Sequence, residues 1–132
     1  MSLFDVSELA VLDLLLGSGT PATLELGLSS AQPLDGGTLN ELSGNGYARV
    51  TVNNNSSMWP AATLLGGVGH KKNGMSVTFP VTTGVWATVT HWFIYDSINA
   101  RALLWGQIGT PPTIGIGDAL RFPVNSIDVT VD

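Results

Sequence analysis

The chain has 132 residues, enough for one domain with its own hydrophobic core, and we expect a single domain over residues 1–132. Hydrophobic residues make up 44% of it and charged residues only 11%, a composition that favours a subunit packed against others over a free monomer. The net charge of −5, with only five Lys and Arg and no cysteine, excludes a basic nucleic-acid-binding surface, disulfides and thiolate metal sites.

The first predicted element is a helix over residues 5–16. Leu9, Leu12 and Leu16 fall at helical spacing, and Ser7 is the candidate N-cap. A Gly-Ser-Gly-Thr-Pro segment follows and would end the helix. We expect the helix either to lie on an edge or end of the sheet or to dock on a neighbouring subunit.

The rest of the chain alternates between short strands and loops rich in Gly, Asn and Pro. Alternating apolar residues and β-branched or aromatic runs predict strands over residues 23–29, 47–52, 75–79, 85–95, 102–105, 120–124 and 127–131. Residues 31–46 are predicted as a long loop. Residues 58–74 are predicted as a second irregular stretch, in which Gly66 to Lys72 forms a mobile surface loop.

The hairpin over residues 84–106 is the most informative element. Its first strand is apolar on both faces, with Val89 and Phe93 on one and Trp86 and Trp92 on the other. A strand that is apolar on both faces is usually buried on both faces. One cover is the domain's own core, and the other is a second layer, a neighbouring subunit or a host surface.

Short strands, one helix and long loops together predict an all-β fold. We expect an antiparallel β-sandwich or a jelly-roll-like fold with one N-terminal helix. The helix or arm occupies residues 1–20 and the β-sandwich residues 21–132. Subunit packing would cover the edge strands of the sandwich, because few charges are present to protect them.

The sequence predicts no catalytic residue, no metal site and no cofactor, and therefore a protein that is not an enzyme. Neither His70 nor His91 has an Asp or Glu at ligand spacing. We expect His91 in a structural role near the core and His70 as a solvated loop residue. The glycine-rich segment before Lys71 lacks the G-K-[ST] ending of a phosphate loop. No apolar run approaches the roughly 20 residues of a membrane helix, so no membrane insertion is expected.

Two groups of residues are candidates for contacts with other molecules. The four tryptophans are many for this length, and such residues more often anchor cores and subunit interfaces than bind sugars. The candidate subunit interface comprises Leu9, Leu12, Leu16, Trp86, Trp92 and Trp105. The candidate exposed loop contacts are Asn45, Tyr47, Trp59, His70 and Lys71, and Trp59 is the one that would stack on a glycan.

The order and spacing of several segments carry a resemblance to a known family. These segments are residues 12–17 (LDLLLG), 24–29 (LELGLS), 33–37 (PLDGG), 40–49 (NELSGNGYAR), 77–80 (VTFP), 86–92 (WATVTHW), 103–106 (LLWG), 117–122 (GDALRF) and 127–131 (IDVTV). In this order they resemble a family of small tailed-bacteriophage virion structural proteins, the tail-fibre-like or head-decoration proteins. The resemblance covers nearly the whole chain and is weakest over residues 53–74.

The resemblance implies a structural role on the virion surface, in the head or the tail, and it carries over no catalytic residues. We expect a capsid decoration (cement) protein, a homotrimer that binds the major capsid protein and stabilises the assembled head. The alternative is a tail-fibre or receptor-binding module that binds tail proteins and turns the loops at residues 31–46 and 53–74 towards the host.

Overall fold

The computed structural model describes residues 3–112 and 114–131. These residues form one helix and nine strands, which are α1 (Asp5–Leu15), β1 (Thr23–Ser29), β2 (Val50–Asn53), β3 (Thr63–Leu65), β4 (Val68–Lys72), β5 (Val77–Thr78), β6 (His91–Asp96), β7 (Arg101–Gln107), β8 (Arg121–Phe122) and β9 (Asp128–Val131). The helix is too short to cross a membrane, and no other helix occurs in the described part of the chain.

The strands form three antiparallel sheets. Their strand orders are β2-β1-β6-β7, β3-β4-β9 and β5-β8. The predicted fold class, all-β with antiparallel strands and one N-terminal helix, is confirmed, and the sheets are consistent with the expected β-sandwich.

The chain forms two compact units. The first contains the residues up to 23 together with residues 53–76 and those from 122 onwards, and the second contains residues 24–52 and 77–121. The single domain expected over residues 1–132 stays a prediction.

In the first unit, helix α1 packs on β3, β4 and β9. Leu12 is completely buried on the inward side of the helix, and the buried Glu8 accepts a hydrogen bond of 3.0 Å from the backbone N–H of Gly69 on β4. Ser7 was expected to cap the helix, and this was wrong. The helix begins earlier, at Asp5, with Phe4 as the N-cap residue, and the Phe4 carbonyl accepts the backbone N–H of Ser7, so Ser7 lies within the first turn.

The segment predicted as irregular contains an ordered β-hairpin instead. Strands β3 and β4 pair from Thr63 opposite His70 to Leu65 opposite Val68, with a two-residue turn between them. The turn residues Gly66 and Gly67 have φ angles of +60° and +76°, the backbone that tight hairpin turns require and that glycine adopts without steric cost. The glycines therefore form a turn between strands and not a mobile loop.

The second unit contains the four-stranded sheet. The strand predicted from residue 85 begins only at His91. Residues 91–94 are all buried within the single chain, so both faces of this strand are covered, as predicted. Strand β1 has the predicted bounds, and β7 extends beyond its predicted range at both ends. Strand β2 begins later than predicted, at Val50, and β5, β8 and β9 are shorter than predicted. Residues 31–46 form a loop with one isolated β-bridge, as expected.

Two glycines make room for aromatic rings on this sheet. Gly27 lies directly opposite Phe93, and Gly106 lies directly opposite Trp92. A Cβ atom at either glycine would overlap the facing ring. Each ring therefore lies flat across its neighbouring strand, Phe93 on one face of the sheet and Trp92 on the other.

Candidate functional site

An open groove of about 510 Å³ lies in the second unit, between the loop at residues 33–39 and the hairpin of β6 and β7. We call it the hairpin groove. The loop side is lined by Pro33 to Gly37 and Leu39, and the hairpin side by Phe93, Tyr95 and Ala100 to Trp105. Its volume falls within the roughly 300–1,000 Å³ that is usual for small-molecule sites.

The floor of the groove is aromatic because of the strand register. Phe93 pairs directly with Trp105, and Tyr95 is two residues further along the same strand, so the three rings share one face of the sheet. A β-bulge between Ile94 and Tyr95 shifts the pairing so that Tyr95 lies opposite the small side chain of Ala102. Phe93 is buried, whereas Trp105 remains 41% exposed.

The ring of Trp105 is supported by its neighbour. The His91 imidazole contacts it edge to face, with ring centres 5.6 Å apart and planes at 67°. His91 itself is held by Thr90, whose Oγ1 lies 2.8 Å from the imidazole Nδ1. His91 is thus structural, as expected, and it steadies an indole ring that still presents surface to solvent.

Polar groups line the open edges of the groove. The exposed Asp35 is in the loop, where the backbone N–H of Gly37 donates to the Leu34 carbonyl at 2.9 Å and closes a tight turn. Arg101 is at the start of β7 with its side chain 64% exposed, and its Nε lies 3.6 Å from an oxygen of Asp96. The groove therefore offers one carboxylate and one guanidinium beside an aromatic surface.

A charged network holds two aromatic rings of the floor in place. The guanidinium of Arg49 donates to both oxygens of Glu41, at 2.8 and 2.9 Å, and to Glu25 at 3.1 Å. The same guanidinium lies 4.2 Å from the centre of the Tyr95 ring and 5.3 Å from that of Phe93. These contacts hold both aromatic rings in place.

Tyr47 extends the network. Its hydroxyl donates to Glu41 at 2.7 Å and accepts the backbone N–H of Leu28 at 3.0 Å. Burial raises the pKa of Tyr47 well above its ordinary value, and the hydrogen bonds from Arg49 to Glu41 raise the pKa of Arg49 in the same direction. Tyr47 therefore stays neutral and Arg49 stays charged at any physiological pH.

The residues predicted as exposed loop contacts differ in how much of each is exposed to solvent. Asn45 is exposed and Tyr47 is half-buried. Trp59 is only 1% exposed, because a turn from Asn55 folds it inwards. Lys71 is only 2% exposed, and its Nζ donates to Asp13 at 2.6 Å. The exposure expected of both Trp59 and Lys71 is wrong.

His70 was expected to be a solvated loop residue, and this too is wrong. It lies on β4, half-buried, with its Nδ1 2.9 Å from a carboxylate oxygen of Asp128 on β9. The pattern of glycines around His70 concealed the strand, because a two-glycine turn and a flexible loop have the same composition.

The candidate subunit interface is largely buried within the chain itself. Leu12, Leu16, Trp86 and Trp92 are buried by their own chain and Leu9 is half-buried, which leaves Trp105 as the exposed aromatic of that set. Whether any of these residues contacts another subunit stays a prediction.

The hairpin groove itself was missed in the sequence. Of its lining, only Trp105 was predicted as a contact residue, and that prediction was for a subunit interface. The alternation of Phe93 and Tyr95 is a sequence signal for a shared face, but the loop opposite them is separated by about sixty positions along the chain and no short-range pattern connects the two. Among the described residues, no group of three or more His, Asp or Glu side chains is placed to hold a metal ion.

Comparison with protein families identifies the chain. The family model described as Podophage GP4 fiber I protein gp80 matches residues 2–130. The chain belongs to this family. The predicted membership in a family of phage virion structural proteins, tail-fibre-like or head-decoration, is confirmed, and the matched description is of the fibre type. A structural role in the virion follows from it. A comparison with curated proteins gives no significant match.

The gp80 family also bears on the geometry described above. The family description is of a fibre protein, for which a contact surface is the relevant feature. The raised pKa values of Tyr47 and Arg49 belong to side chains that are held in hydrogen bonds beside the groove. The hairpin groove is therefore a candidate binding surface.

Proposed function

We propose that this protein is a fibre component of a podophage virion and contacts the bacterial surface through the hairpin groove. The observation that carries the proposal is the match of residues 2–130 to a family described as a fibre protein. That description favours the tail-fibre alternative over the capsid decoration that the sequence first suggested. The capsid location and the homotrimer stay predictions.

The structure supports host contact at the groove in two ways. The loop at residues 33–39 is part of the longer loop that was expected to face the host, and it forms one wall of the groove. The floor of the groove is a strand pair held by the Arg49 network, so the exposed loop lies against a rigid surface. Binding sites commonly combine these two features.

The second loop expected to face the host gives less support. Residues 63–72 form paired strands, and Trp59, the residue proposed to stack on a glycan there, is buried. Host contact is therefore assigned to the hairpin groove and not to this segment.

Location in the virion is the first test. Gold-labelled antibodies against the purified protein, viewed by electron microscopy, should label fibres, and quantitative mass spectrometry should find few copies compared with the major capsid protein. Labelling spread evenly over the head, with many copies per particle, would overturn the fibre assignment and restore the decoration hypothesis.

Adsorption is the second test. Purified protein added in excess should slow phage adsorption to host cells, because it occupies the sites that the virion uses. The same amount of Tyr95→Ala/Trp105→Ala protein, confirmed as folded by circular dichroism, should compete much less. If intact protein leaves adsorption unchanged, the host-contact part of the proposal is wrong.

A further inference from the structure

We propose that the hairpin groove binds a neutral saccharide, with a hexose ring stacked on Trp105 and its hydroxyls bonded to Asp35 and Arg101. The proposal gives a ligand class to the host contact proposed above and rests on it for biological meaning. The binding itself depends only on the second unit and is testable with purified protein.

The first argument is the exposure of Trp105. The other three tryptophans are buried, whereas 41% of Trp105 is open to solvent on the groove floor. An indole ring left in water loses the favourable free energy of burial unless a ligand covers it. A pyranose ring has an apolar face of C–H groups and an edge of hydroxyls, so it covers an aromatic face while its polar edge stays solvated or hydrogen-bonded.

The second argument is the pair of polar groups. Asp35 is an exposed carboxylate that accepts hydrogen bonds, and Arg101 is an exposed guanidinium that donates them. Both line the same groove as Trp105. Sugar hydroxyls donate and accept in turn, so one acceptor group and one donor group suit them together. Opposite charges in one groove also favour a neutral ligand over an acidic or basic one.

Arg101 has donors to spare for a ligand. Its nearest acidic neighbour, Asp96, already accepts hydrogen bonds from the backbone N–H groups of Ile98 and Asn99 and from the Asn99 side chain, at 3.0, 3.1 and 2.7 Å. The Arg101 contact with Asp96 is longer, at 3.6 Å. Asp96 is therefore satisfied without Arg101, and binding of a ligand to the guanidinium leaves no buried charge unpaired.

The third argument is the shape of the loop wall. Gly36 and Gly37 line the groove without side chains, and a Cβ atom at either position would meet open space. A flat ring can thus approach the aromatic floor across this wall. The tight turn closed by Leu34 and Gly37 keeps the wall in place.

The fourth argument is preorganisation. Tyr95 is held by the Arg49 guanidinium on one side, and Trp105 is held by His91. Rings that are already fixed lose little conformational entropy when a ligand binds, so more of the contact free energy appears as affinity. The same network would serve a protein ligand, and the experiment below separates the two classes.

The experiment starts with the purified full-length protein on an array of bacterial surface polysaccharides and their repeat-unit oligosaccharides. We expect binding to neutral hexose-containing glycans. The affinity for the best of them is then measured by isothermal titration calorimetry for intact protein and five variants. Trp105→Ala should weaken binding at least about tenfold, equivalent to 1.4 kcal/mol. Trp105→Phe, which keeps a ring, should recover part of that loss.

Two further variants test the polar groups, and a third variant is a matched control. Arg101→Ala and Asp35→Asn should each weaken binding about tenfold, the usual effect of losing a hydrogen bond to a charged group. Phe4→Ala removes another exposed aromatic ring, in the first unit and outside the groove, and should bind like the intact protein. Thermal unfolding of each variant shows whether a loss of binding is a loss of folding.

Three results would overturn the saccharide proposal. The first is that the array retains no glycan, and the second is that Trp105→Ala and Phe4→Ala bind glycan with equal affinity. The third is that a soluble protein receptor blocks phage adsorption while removal of glycans from the cell surface leaves adsorption unchanged. If the protein is located on fibres and competes for adsorption but binds no glycan, the groove proposal fails and the fibre function stands. If it binds glycan through Trp105 but is spread over the head, the fibre function fails and the groove proposal stands.

Discussion

The ring of Phe93 lies across Gly27 on the adjacent strand, and no side chain fits between them. This contact places Phe93 below the groove and beside Arg49. Gly27→Ala should destabilise the protein by about 1–3 kcal/mol, because the added methyl group overlaps the buried ring and the sheet must shift. Urea unfolding followed by tryptophan fluorescence measures the change.

Gly36→Ala is the matched control for that substitution. Gly36 has open space around it, and its φ angle is not in the left-handed region, so the change should leave stability within about 0.5 kcal/mol. Equal stabilities of the two variants would mean that the Phe93 ring moves aside freely and does not define the groove floor.

Glu41 should contribute more than Glu25 to the stability of the network. Glu41 accepts two hydrogen bonds from Arg49 and one from Tyr47, whereas Glu25 accepts one from Arg49. We expect Glu41→Gln to lower the free energy of unfolding by about 2 kcal/mol and Glu25→Gln by about 0.5–1 kcal/mol. Chemical denaturation at neutral pH gives both values. The reverse order would show that Arg49 relies mainly on Glu25.

Acid should destabilise the protein partly through Asp96. The hydrogen bond from the Asn99 side chain is the main reason that the pKa of Asp96 lies below its ordinary value of 3.8. The unfolded chain therefore takes up this proton first as pH falls, so the contribution is complete above about pH 4 and is lost as pH falls through the lower folded pKa. Denaturation at a series of pH values should show this loss.

The Asp96→Asn variant isolates that contribution, since it carries no titrating group at the turn. Its free energy of unfolding should fall less steeply between neutral pH and pH 2 than that of the intact protein. Some acid dependence should remain, because the hydrogen bond from Lys71 also lowers the pKa of Asp13. Identical pH profiles of the two proteins would rule out a role for Asp96.

The two sides of helix α1 should respond oppositely to truncation. Leu12 is 0% exposed and Leu14 is 72% exposed, although they are two residues apart. Leu12→Ala should lower the free energy of unfolding by about 2–5 kcal/mol, and Leu14→Ala should change it by less than about 0.5 kcal/mol. Thermal and urea unfolding of the two variants provide the comparison.

The exposed side of helix α1 also offers a test of the predicted homotrimer. Phe4, Val6 and Leu14 are exposed on the first unit, and apolar surface of this kind is often covered in an assembly. If the trimer forms through this side of the helix, light scattering should report three chains for intact protein and fewer for Leu14→Glu. A monomer in both cases, at concentrations well above those used for unfolding, would contradict the homotrimer.

The fold class was predictable because it depends on local patterns. The leucines at helical spacing before Gly17 and the period-two alternation in residues 23–29 and 128–131 each specify one element, whatever surrounds it. The hairpin at Gly66 and Gly67 was missed for the converse reason. A glycine pair suits both a flexible loop and a tight turn, and only the pairing partners on either side decide between them.

The sequence by itself determined an all-β protein with one N-terminal helix, few charges and a motif order typical of phage virion proteins. Only the tertiary structure decided which tryptophan faces solvent. Trp59 lies in a polar, turn-rich segment and is buried, whereas Trp105 lies in an apolar strand and is exposed on the groove floor. The physical reason is that the exposure of a side chain depends on contacts with residues far away in the sequence. Here those contacts bring the loop at residues 33–39 opposite Trp105 and place the Arg49 guanidinium against the face of the Tyr95 ring.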